Sequence, residues 1–169
     1  MPPPLILTAQ LDADSFGFFD SLRQKHFPPE RDFLAAHVTL FHHLPGNEIE
    51  RIEDDLRRLC ADNKSFELSF PTLRFLGKGT AVEIESAELI RLRSTLAADW
   101  ERWLTAQDKQ KFKPHITIQN KVAPDEARKL YEELRANWQP RTGNAVGLQL
   151  WRYLGGPWKL EKEFTFGKV

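Results

Sequence analysis

The chain has 169 residues, of which 41% are hydrophobic and 11% aromatic, and its 24 basic residues balance 24 acidic ones. This composition can fill a packed core, so it excludes a disordered chain, a collagen-like fibre and a disulfide-stapled mini-protein. The zero formal net charge argues against binding to long nucleic-acid duplexes, which depends on a strongly positive surface. The single cysteine, Cys60, cannot form an intramolecular disulfide, and we expect a buried thiol in a reducing compartment.

The N-terminal segment does not resemble a targeting signal. Its apolar run Leu5–Leu11 lacks a basic flank and ends at Asp12, far short of the ~20 apolar residues that a membrane span needs. No longer apolar run follows. We therefore expect a soluble, cytoplasmic protein with no membrane partner.

Strands and helices are predicted in alternation along the chain. Short β-favouring runs between turn signals predict the strands, and apolar residues at three- and four-residue spacing predict the helices. The first half predicts, in order, strand Leu5–Leu11, a helix capped by Ser15, strand His37–Leu44, a helix capped by Asn47, and strands Phe66–Leu76 and Ala81–Glu85. The second half predicts helix Glu88–Leu104, strand His115–Val122, a helix from Pro124, and strands Ala145–Leu154 and Lys159–Phe166.

The sequence also contains an internal repeat. Segment His37–Leu40 (HVTL) matches His115–Ile118 (HITI), and Arg74–Gly77 (RFLG) matches Arg152–Gly155 (RYLG), both at an offset of 78 residues. A register kept without a gap across most of the chain indicates two copies of one unit. We therefore predict an α+β fold with pseudo-two-fold symmetry, in one domain of two lobes at approximately residues 5–80 and 81–166.

The repeated His-x-Thr motif suggests phosphodiester chemistry. Residues at i and i+2 of a strand share one face, so His37 projects with Thr39, and His115 with Thr117. Displacement at phosphorus needs a base and an acid on opposite sides, and histidine can take either role near neutral pH. Threonine hydroxyls can donate hydrogen bonds to the non-bridging oxygens. The sequence shows no ligand set typical of a metal site, so we expect no metal and no cofactor.

A structural role for these residues is the competing interpretation. One histidine on a strand is usually a hydrogen-bonded structural residue. Here, however, the polar pair is identical in both copies, while the apolar neighbours vary from Val38 to Ile116 and from Leu40 to Ile118. This pattern favours catalysis.

Same-face counting adds candidate substrate contacts. It extends the groove to Phe41 in one half and to Gln119 and Lys121 in the other. Phe41 could stack on a base or pack in the core, and Lys121 could hold a phosphate or lie solvated at a strand end. Arg152 could bind an anion together with Tyr153, or simply close an ion pair. We expect His42 and its neighbour His43 at the rim, and not as a third catalytic group.

With these motifs, and with Lys113-Pro114 and the tail Trp151–Trp158, the chain resembles the two-histidine phosphoesterases, also called the 2′-5′ RNA ligase-like or cyclic phosphodiesterase superfamily. The resemblance implies a bilobal fold in which antiparallel sheets line a central cleft and helices pack outside. It implies metal-independent chemistry on 2′,3′-cyclic phosphates, 1″,2″-cyclic phosphates or 2′-5′ linkages. His37 and His115 would then be acid and base, and Thr39 and Thr117 phosphate ligands.

We expect a monomeric phosphoesterase that opens a cyclic phosphodiester at an RNA end or on a nucleotide. The reverse reaction, 2′-5′ ligation of RNA, is one alternative, because acid and base exchange roles when the reaction runs backward. A nucleotide-binding module without chemistry is another, and a structural protein with the two histidines buried apart is a third. The motif does not assign acid and base to particular histidines, and the sequence does not select one substrate.

Overall fold

The computed structural model describes residues 2–31 and 34–167. This part of the chain forms eight strands and four α-helices, in the order β1 (Leu5–Leu11), α1 (Ala13–His26), β2 (Val38–Leu44), α2 (Ile49–Ala61), β3 (Phe66–Phe70), β4 (Leu73–Phe75), β5 (Thr80–Glu83), α3 (Ala87–Asp99), β6 (His115–Gln119), α4 (Pro124–Asn137), β7 (Arg141–Tyr153) and β8 (Trp158–Thr165). All strand pairs are antiparallel. The predicted α+β class is confirmed. No helix within the described ranges is long and apolar enough to cross a membrane.

The strands form two sheets that do not follow the two halves of the sequence. The larger sheet has the order β2-β1-β7-β3, with β8 also paired to β7, and the smaller sheet has the order β4-β5-β6. Strand β7 from the second half thus extends β1, whereas β4 from the first half pairs with β5. The predicted lobes 5–80 and 81–166 therefore do not coincide with the sheets, because β7 and β8 of the second half join the sheet of β1, and β4 of the first half joins the sheet of β5 and β6.

Helix starts differ from the predicted caps by a few residues. The Asp12 carboxylate, and not Ser15, caps α1 by accepting the Ser15 backbone N–H at 3.1 Å. Asn47 lies in a short 3₁₀ turn before α2, whose first turn has no side-chain cap. Asp12 also accepts the backbone N–H of Asn144 at 2.8 Å, which ties the start of α1 to β7.

Two predicted elements are shorter than expected. The run predicted as one strand over Phe66–Leu76 is divided between β3 and β4 at Pro71, because proline cannot donate to a strand ladder. Helix α3 begins at the Ser86 cap and ends at Asp99, and a 3₁₀ turn at Glu101–Trp103 replaces its predicted last turn.

The core lies between the larger sheet and the helices, together with the apolar face of the smaller sheet. Cys60 of α2 lies in this core and is 2% exposed, and burial raises the pKa of its thiol to about 12. It is a buried thiol, as predicted. The motif strands bury their apolar positions, which are Val38, Leu40, Ile116 and Ile118.

Local geometry recurs at the 78-residue offset of the sequence repeat. Gly77 and Gly155 both adopt left-handed backbone, with φ of 88° and 89°. The hairpin around each is closed by a backbone bond of 2.9 Å, from Leu76 N–H in one and Leu154 N–H in the other. Arg74 pairs with Glu83 and Arg152 with Glu161, again 78 positions apart. This is the pattern that the predicted duplication would produce.

Candidate active site

The two His-x-Thr motifs lie on strands of different sheets that meet. His37 immediately precedes β2 and Thr39 lies on it, while β6 carries His115 and Thr117. Strands β2 and β6 are in contact, and the charge of His115 contributes to lowering the pKa of His37. The fold therefore brings both imidazoles into one site.

Both imidazoles are held in the same orientation. His37 Nδ1 lies 2.8 Å from the carbonyl of Ala35, and His115 Nδ1 lies 2.8 Å from the carbonyl of Lys113. A carbonyl only accepts, so in each ring Nδ1 carries the proton and donates it. Within residues 2–31 and 34–167 neither Nε2 forms a hydrogen bond to the protein. In both rings the unprotonated nitrogen is therefore Nε2.

The environment disfavours protonation of both rings. Burial is the main cause that lowers the pKa of His37, to about 4, and the charges of Arg23, His115 and His42 lower it further, against the Ala35 carbonyl, which raises it. Burial also lowers the pKa of His115, and Arg74 and His42 add to this. The neutral form is therefore favoured in both rings, and the larger shift is at His37.

A guanidinium lies beside the second histidine. Arg74 Nη1 is 3.3 Å from His115 Nδ1, but both groups are donors there because Nδ1–H is directed at the Lys113 carbonyl. The contact therefore acts through charge, which lowers the pKa of His115. Glu83 holds Arg74 in place, with 2.9 Å between Oε1 and Nε.

The threonine hydroxyls are free to bind a ligand. Neither the Thr39 nor the Thr117 hydroxyl bonds to the protein within the described ranges. Thr39 begins a row of polar side chains across the larger sheet, since Thr8 is paired with Thr39 and with Gln149 in the strand register. The Thr8 hydroxyl donates to Gln149 at 3.3 Å and accepts from Trp151 Nε1 at 2.9 Å. This row fixes the sheet surface beside Thr39.

A mainly apolar cavity of about 600 Å³ opens beside His37. Its walls come from β1, the first turn of α1, the segment before β2, and strands β7 and β8. The Trp158 ring centre lies 4.7 Å from that of His37, and Trp151 lies 6.0 Å from Trp158. Gln10 lines the same cavity, and its buried Oε1 has no hydrogen-bond partner among the described residues. The cavity can hold a planar apolar group that also offers a donor.

Comparison with known families places the chain in one of them. The family model for the 2′-5′ RNA ligase superfamily matches residues 11–157, a span that includes both motifs. The chain belongs to this superfamily. The resemblance seen in the sequence is thereby confirmed. No curated protein matches at a significant level.

Solved structures of low sequence identity share the fold. TT0787 of Thermus thermophilus aligns with a TM-score of 0.69 at 17% identity, over 97% of this chain and 98% of that chain. E. coli LigT complexed with 3′-AMP aligns with a TM-score of 0.62 at 19% identity, over 99% of this chain and 100% of that chain. LigT complexed with NADP⁺ aligns with a TM-score of 0.59 at 19% identity, over the same shares.

Phe41 does not line the groove, contrary to the same-face prediction. It is 0% exposed and packs on Trp100, with ring centres 5.3 Å apart. The cause is a β-bulge, because Thr39 lies opposite Thr8 while Phe41 lies opposite the next residue, Leu7. The extra residue, Leu40, shifts the alternation, so that Phe41 turns into the core.

The same irregularity occurs in the second copy. Thr117 lies opposite Ala81 and Gln119 opposite Thr80, so that Ile118 is the extra residue. Gln119 is accordingly 4% exposed. Strand β6 then ends, and Lys121 follows at a φ of 62°, beside Lys78 and the start of α4. The strand-face prediction therefore does not apply to Lys121.

Arg152 and Tyr153 lie at the end of β7. Arg152 forms an ion pair with Glu161, which is the structural alternative to a substrate contact. Tyr153 is 42% exposed. Neither residue lines the cavity beside His37.

Two buried arginines of the site were not anticipated from the sequence. Arg23 on α1 donates to the carbonyls of Leu34 and Thr117, at 3.0 and 2.9 Å. Arg93 on α3 donates to the carbonyl of Leu40 at 3.1 Å. Each helix thus holds the motif strand of the other half. The sequence signal for such a role is an arginine at an apolar position of a helix. The hydrogen-bond partners of Arg23 and Arg93 could not be predicted, because they lie far away along the chain.

Proposed function

We propose that this protein hydrolyses cyclic phosphodiesters, such as a 2′,3′-cyclic phosphate at an RNA or nucleotide end, by acid–base catalysis between His37 and His115. The observation that carries the proposal is the matched geometry of the two rings. Each donates Nδ1–H to the carbonyl two residues before it and leaves Nε2 without a protein partner among the described residues. Two such nitrogens in one site supply one proton acceptor and one proton donor.

In the proposed step one histidine accepts a proton and the other histidine donates one. His37 Nε2 takes a proton from water as the water oxygen bonds to phosphorus, and the bond from phosphorus to one ribose oxygen breaks. His115, protonated at Nε2, gives its proton to that leaving oxygen. The product is a phosphomonoester beside a free hydroxyl. No metal takes part.

The different environments of the two rings support this assignment of roles. The pKa of His37 is lowered to about 4, and the pKa of His115 is lowered less. When the site holds one proton, it therefore belongs on His115, the acid. A bound phosphate anion favours that protonated state because opposite charges attract.

The remaining groups bind the phosphate and the nucleoside. The hydroxyls of Thr39 and Thr117, which are unpaired within the described ranges, donate to the non-bridging oxygens as negative charge develops there. The cavity beside His37, with Trp158 on its wall, receives the base. E. coli LigT complexed with 3′-AMP, with NADP⁺ and with ATP shares the fold, which supports a nucleotide as the ligand of this chain.

The test is product analysis with adenosine 2′,3′-cyclic phosphate and with a short RNA that ends in a 2′,3′-cyclic phosphate. We expect turnover that a chelator does not reduce. His37→Asn and His115→Asn should each lower kcat by ~10²–10⁴-fold with unchanged circular dichroism. Near-normal hydrolysis by both variants would overturn the proposal, and binding without turnover by the unsubstituted protein would favour the binding module.

Ligation is measured in the same experiment. The same acid–base pair can open the cyclic phosphate with a 5′-hydroxyl in place of water, which forms a 2′-5′ linkage and frees the 3′-hydroxyl. RNA ends that carry a 2′,3′-cyclic phosphate and a 5′-hydroxyl are therefore incubated together at high concentration. A 2′-5′ joined product that forms faster than the hydrolysis product would make ligation the main activity.

A further inference from the structure

A third histidine is attached to the motif strand by a buried carboxylate. His42 follows Thr39 on β2 by three residues, and its Nδ1 lies 3.0 Å from Asp108 Oδ1. The Asp108 side chain is 1% exposed, whereas that of His42 is 46% exposed. One edge of the imidazole is therefore fixed to the protein interior, and the opposite edge, which carries Nε2, is open.

Asp108 is a carboxylate, which fixes the proton of His42. The backbone N–H of His42 donates to both Asp108 oxygens, at 2.9 and 3.0 Å, and the N–H of His43 donates at 3.0 Å. Burial raises the pKa of Asp108, but the hydrogen bonds from His42 and His43 lower it by more. A carboxylate only accepts, so His42 Nδ1 carries a proton and donates it to Asp108.

The shape of β2 and the side chain of Arg93 hold the His42–Asp108 pair in place. A second irregularity in β2, between Phe41 and Leu44, leaves His42 and His43 on the exposed side of the strand. The buried guanidinium of Arg93 donates to the Asp108 carbonyl at 2.6 Å and to the Leu40 carbonyl of β2. The segment that carries Asp108 is thereby held against the motif strand.

The pair faces the same site as the other two histidines. His42 shares the exposed face of β2 with Thr39, because the bulge at Leu40 turns Phe41 into the core and the next residue outward. The charge of His42 also acts on both His37 and His115. Two backbone N–H groups already bond to the Asp108 oxygens, so the His42 side chain is not needed to satisfy this buried carboxylate. A carboxylate-backed imidazole of this kind suits an anion.

We propose that His42 is a third substrate-contacting residue, which donates Nδ1–H to Asp108 and, in the complex with substrate, donates Nε2–H to a phosphate oxygen. This inference rests on the proposed function and names a further residue of the same site. His42 holds the phosphate in this scheme and takes no part in proton transfer, so its removal affects binding more than chemistry.

The kinetic test compares His42→Ala with His43→Ala. His43 is the matched control, since it is the adjacent exposed histidine and donates to Asp108 only through its backbone. With adenosine 2′,3′-cyclic phosphate, His42→Ala should raise KM by ~10-fold or more, as expected for a lost bond to a charged group, and change kcat by less than ~3-fold. His43→Ala should change neither constant. Equal KM values for the two variants would overturn the proposal.

A second measurement needs no variant. Inorganic phosphate is titrated into the unsubstituted protein, and the imidazole nitrogens are observed by ¹⁵N NMR, with His42→Ala used only for assignment. We expect the His42 Nε2 resonance to move on phosphate binding, with Nδ1 staying protonated, and the His43 resonances to stay in place. No movement at His42 would overturn the proposal. Failure of the proposed function is a separate outcome, which active His37→Asn and His115→Asn variants would reveal.

Discussion

The guanidinium of Arg23 donates a hydrogen bond to the backbone carbonyl of Thr117, 2.9 Å away. A helix of the first half thus positions the motif strand of the second half. Arg93 makes the reciprocal contact, from α3 to the Leu40 carbonyl of β2. The relative placement of the two motifs therefore depends on arginines that lie outside both motifs.

Replacing Arg23 should affect both stability and turnover. Arg23 is 3% exposed, and Arg23→Met leaves the Leu34 and Thr117 carbonyls without this donor. We expect the free energy of unfolding to fall by roughly 2–4 kcal/mol, and kcat to fall because β6 loses its anchor. Urea unfolding and steady-state kinetics measure the two effects. The exposed neighbour Lys25 is the control, and Lys25→Met should change neither. An Arg23→Met variant as stable as the parent would contradict the anchoring role.

The Thr39 hydroxyl should matter for turnover but little for the fold. Thr39→Val keeps the shape of the side chain and removes the proposed donor to the non-bridging oxygen, so we expect kcat/KM to fall by ~10–100-fold. Thr39→Ser, which keeps the hydroxyl, should retain most activity. Thr142→Val on the exposed face of β7 is the control and should be fully active. Equal activity of Thr39→Val and Thr39→Ser would remove the hydroxyl from the mechanism.

Trp158 should determine the affinity for the base. Its ring lies 4.7 Å from His37 at the wall of the cavity, and Trp158→Leu removes a stacking surface worth ~1–3 kcal/mol per base. KM for adenosine 2′,3′-cyclic phosphate should therefore rise by ~10-fold or more, while glycerol 1,2-cyclic phosphate, which has no base, should be hydrolysed as before. Lys159→Ala, at the exposed neighbouring position, serves as the control. An equal loss for both substrates would show that Trp158 supports His37 and does not bind the base.

The lowered pKa of His37 predicts a loss of stability in acid. The unfolded chain takes up a proton near pH 6.5, whereas the folded site resists protonation until about pH 4. The unfolded state therefore binds more protons in this interval, and stability falls as the pH falls from 6.5 to 4. The full shift at His37 corresponds to at most ~3 kcal/mol.

Urea unfolding at pH 7 and pH 4.5 measures this effect. His37→Asn has no ring to protonate, so it should lose less stability between the two pH values than the parent does. The same substitution at the exposed His43 should leave the loss unaltered. If His37→Asn and the parent lose the same amount, then His37 is not held neutral by its surroundings.

Three glycines offer a test of backbone conformation at repeated positions. Gly77 and Gly155 have φ of 88° and 89°, and a Cβ at either would contact nothing within 4 Å, so the cost of alanine is conformational. Gly77→Ala and Gly155→Ala should each destabilise by roughly 1 kcal/mol or more. Gly17 lies within α1, also with open space around it, and Gly17→Ala should stabilise by ~0.5–1 kcal/mol. Thermal unfolding measures the change in stability for all three variants. Unequal changes for Gly77→Ala and Gly155→Ala would contradict the equivalence of the two hairpins.

Short-range patterns in the sequence predicted much of this protein. The order and type of most elements follow from hydrophobic periodicity and turn residues, because side-chain spacing reports directly on strands and helices. The two His-x-Thr motifs identified the family, since a repeated polar pair stands out against variable apolar neighbours. The predicted positions of helix caps and strand ends were less accurate. Several nearby residues can satisfy the same backbone groups, as Asp12 does in place of Ser15.

Only the tertiary structure decided which residues meet. The bulges at Leu40 and Ile118 reverse the facing of Phe41 and Gln119, and a bulge depends on the partner strand, so same-face counting could not foresee it. Three further contacts join residues that are far apart in the chain. Strands β7 and β8 join the sheet of β1, Arg23 bonds to Thr117, and His42 pairs with Asp108. Such contacts form when the sheets and helices pack together, and no local run of amino acids specifies them.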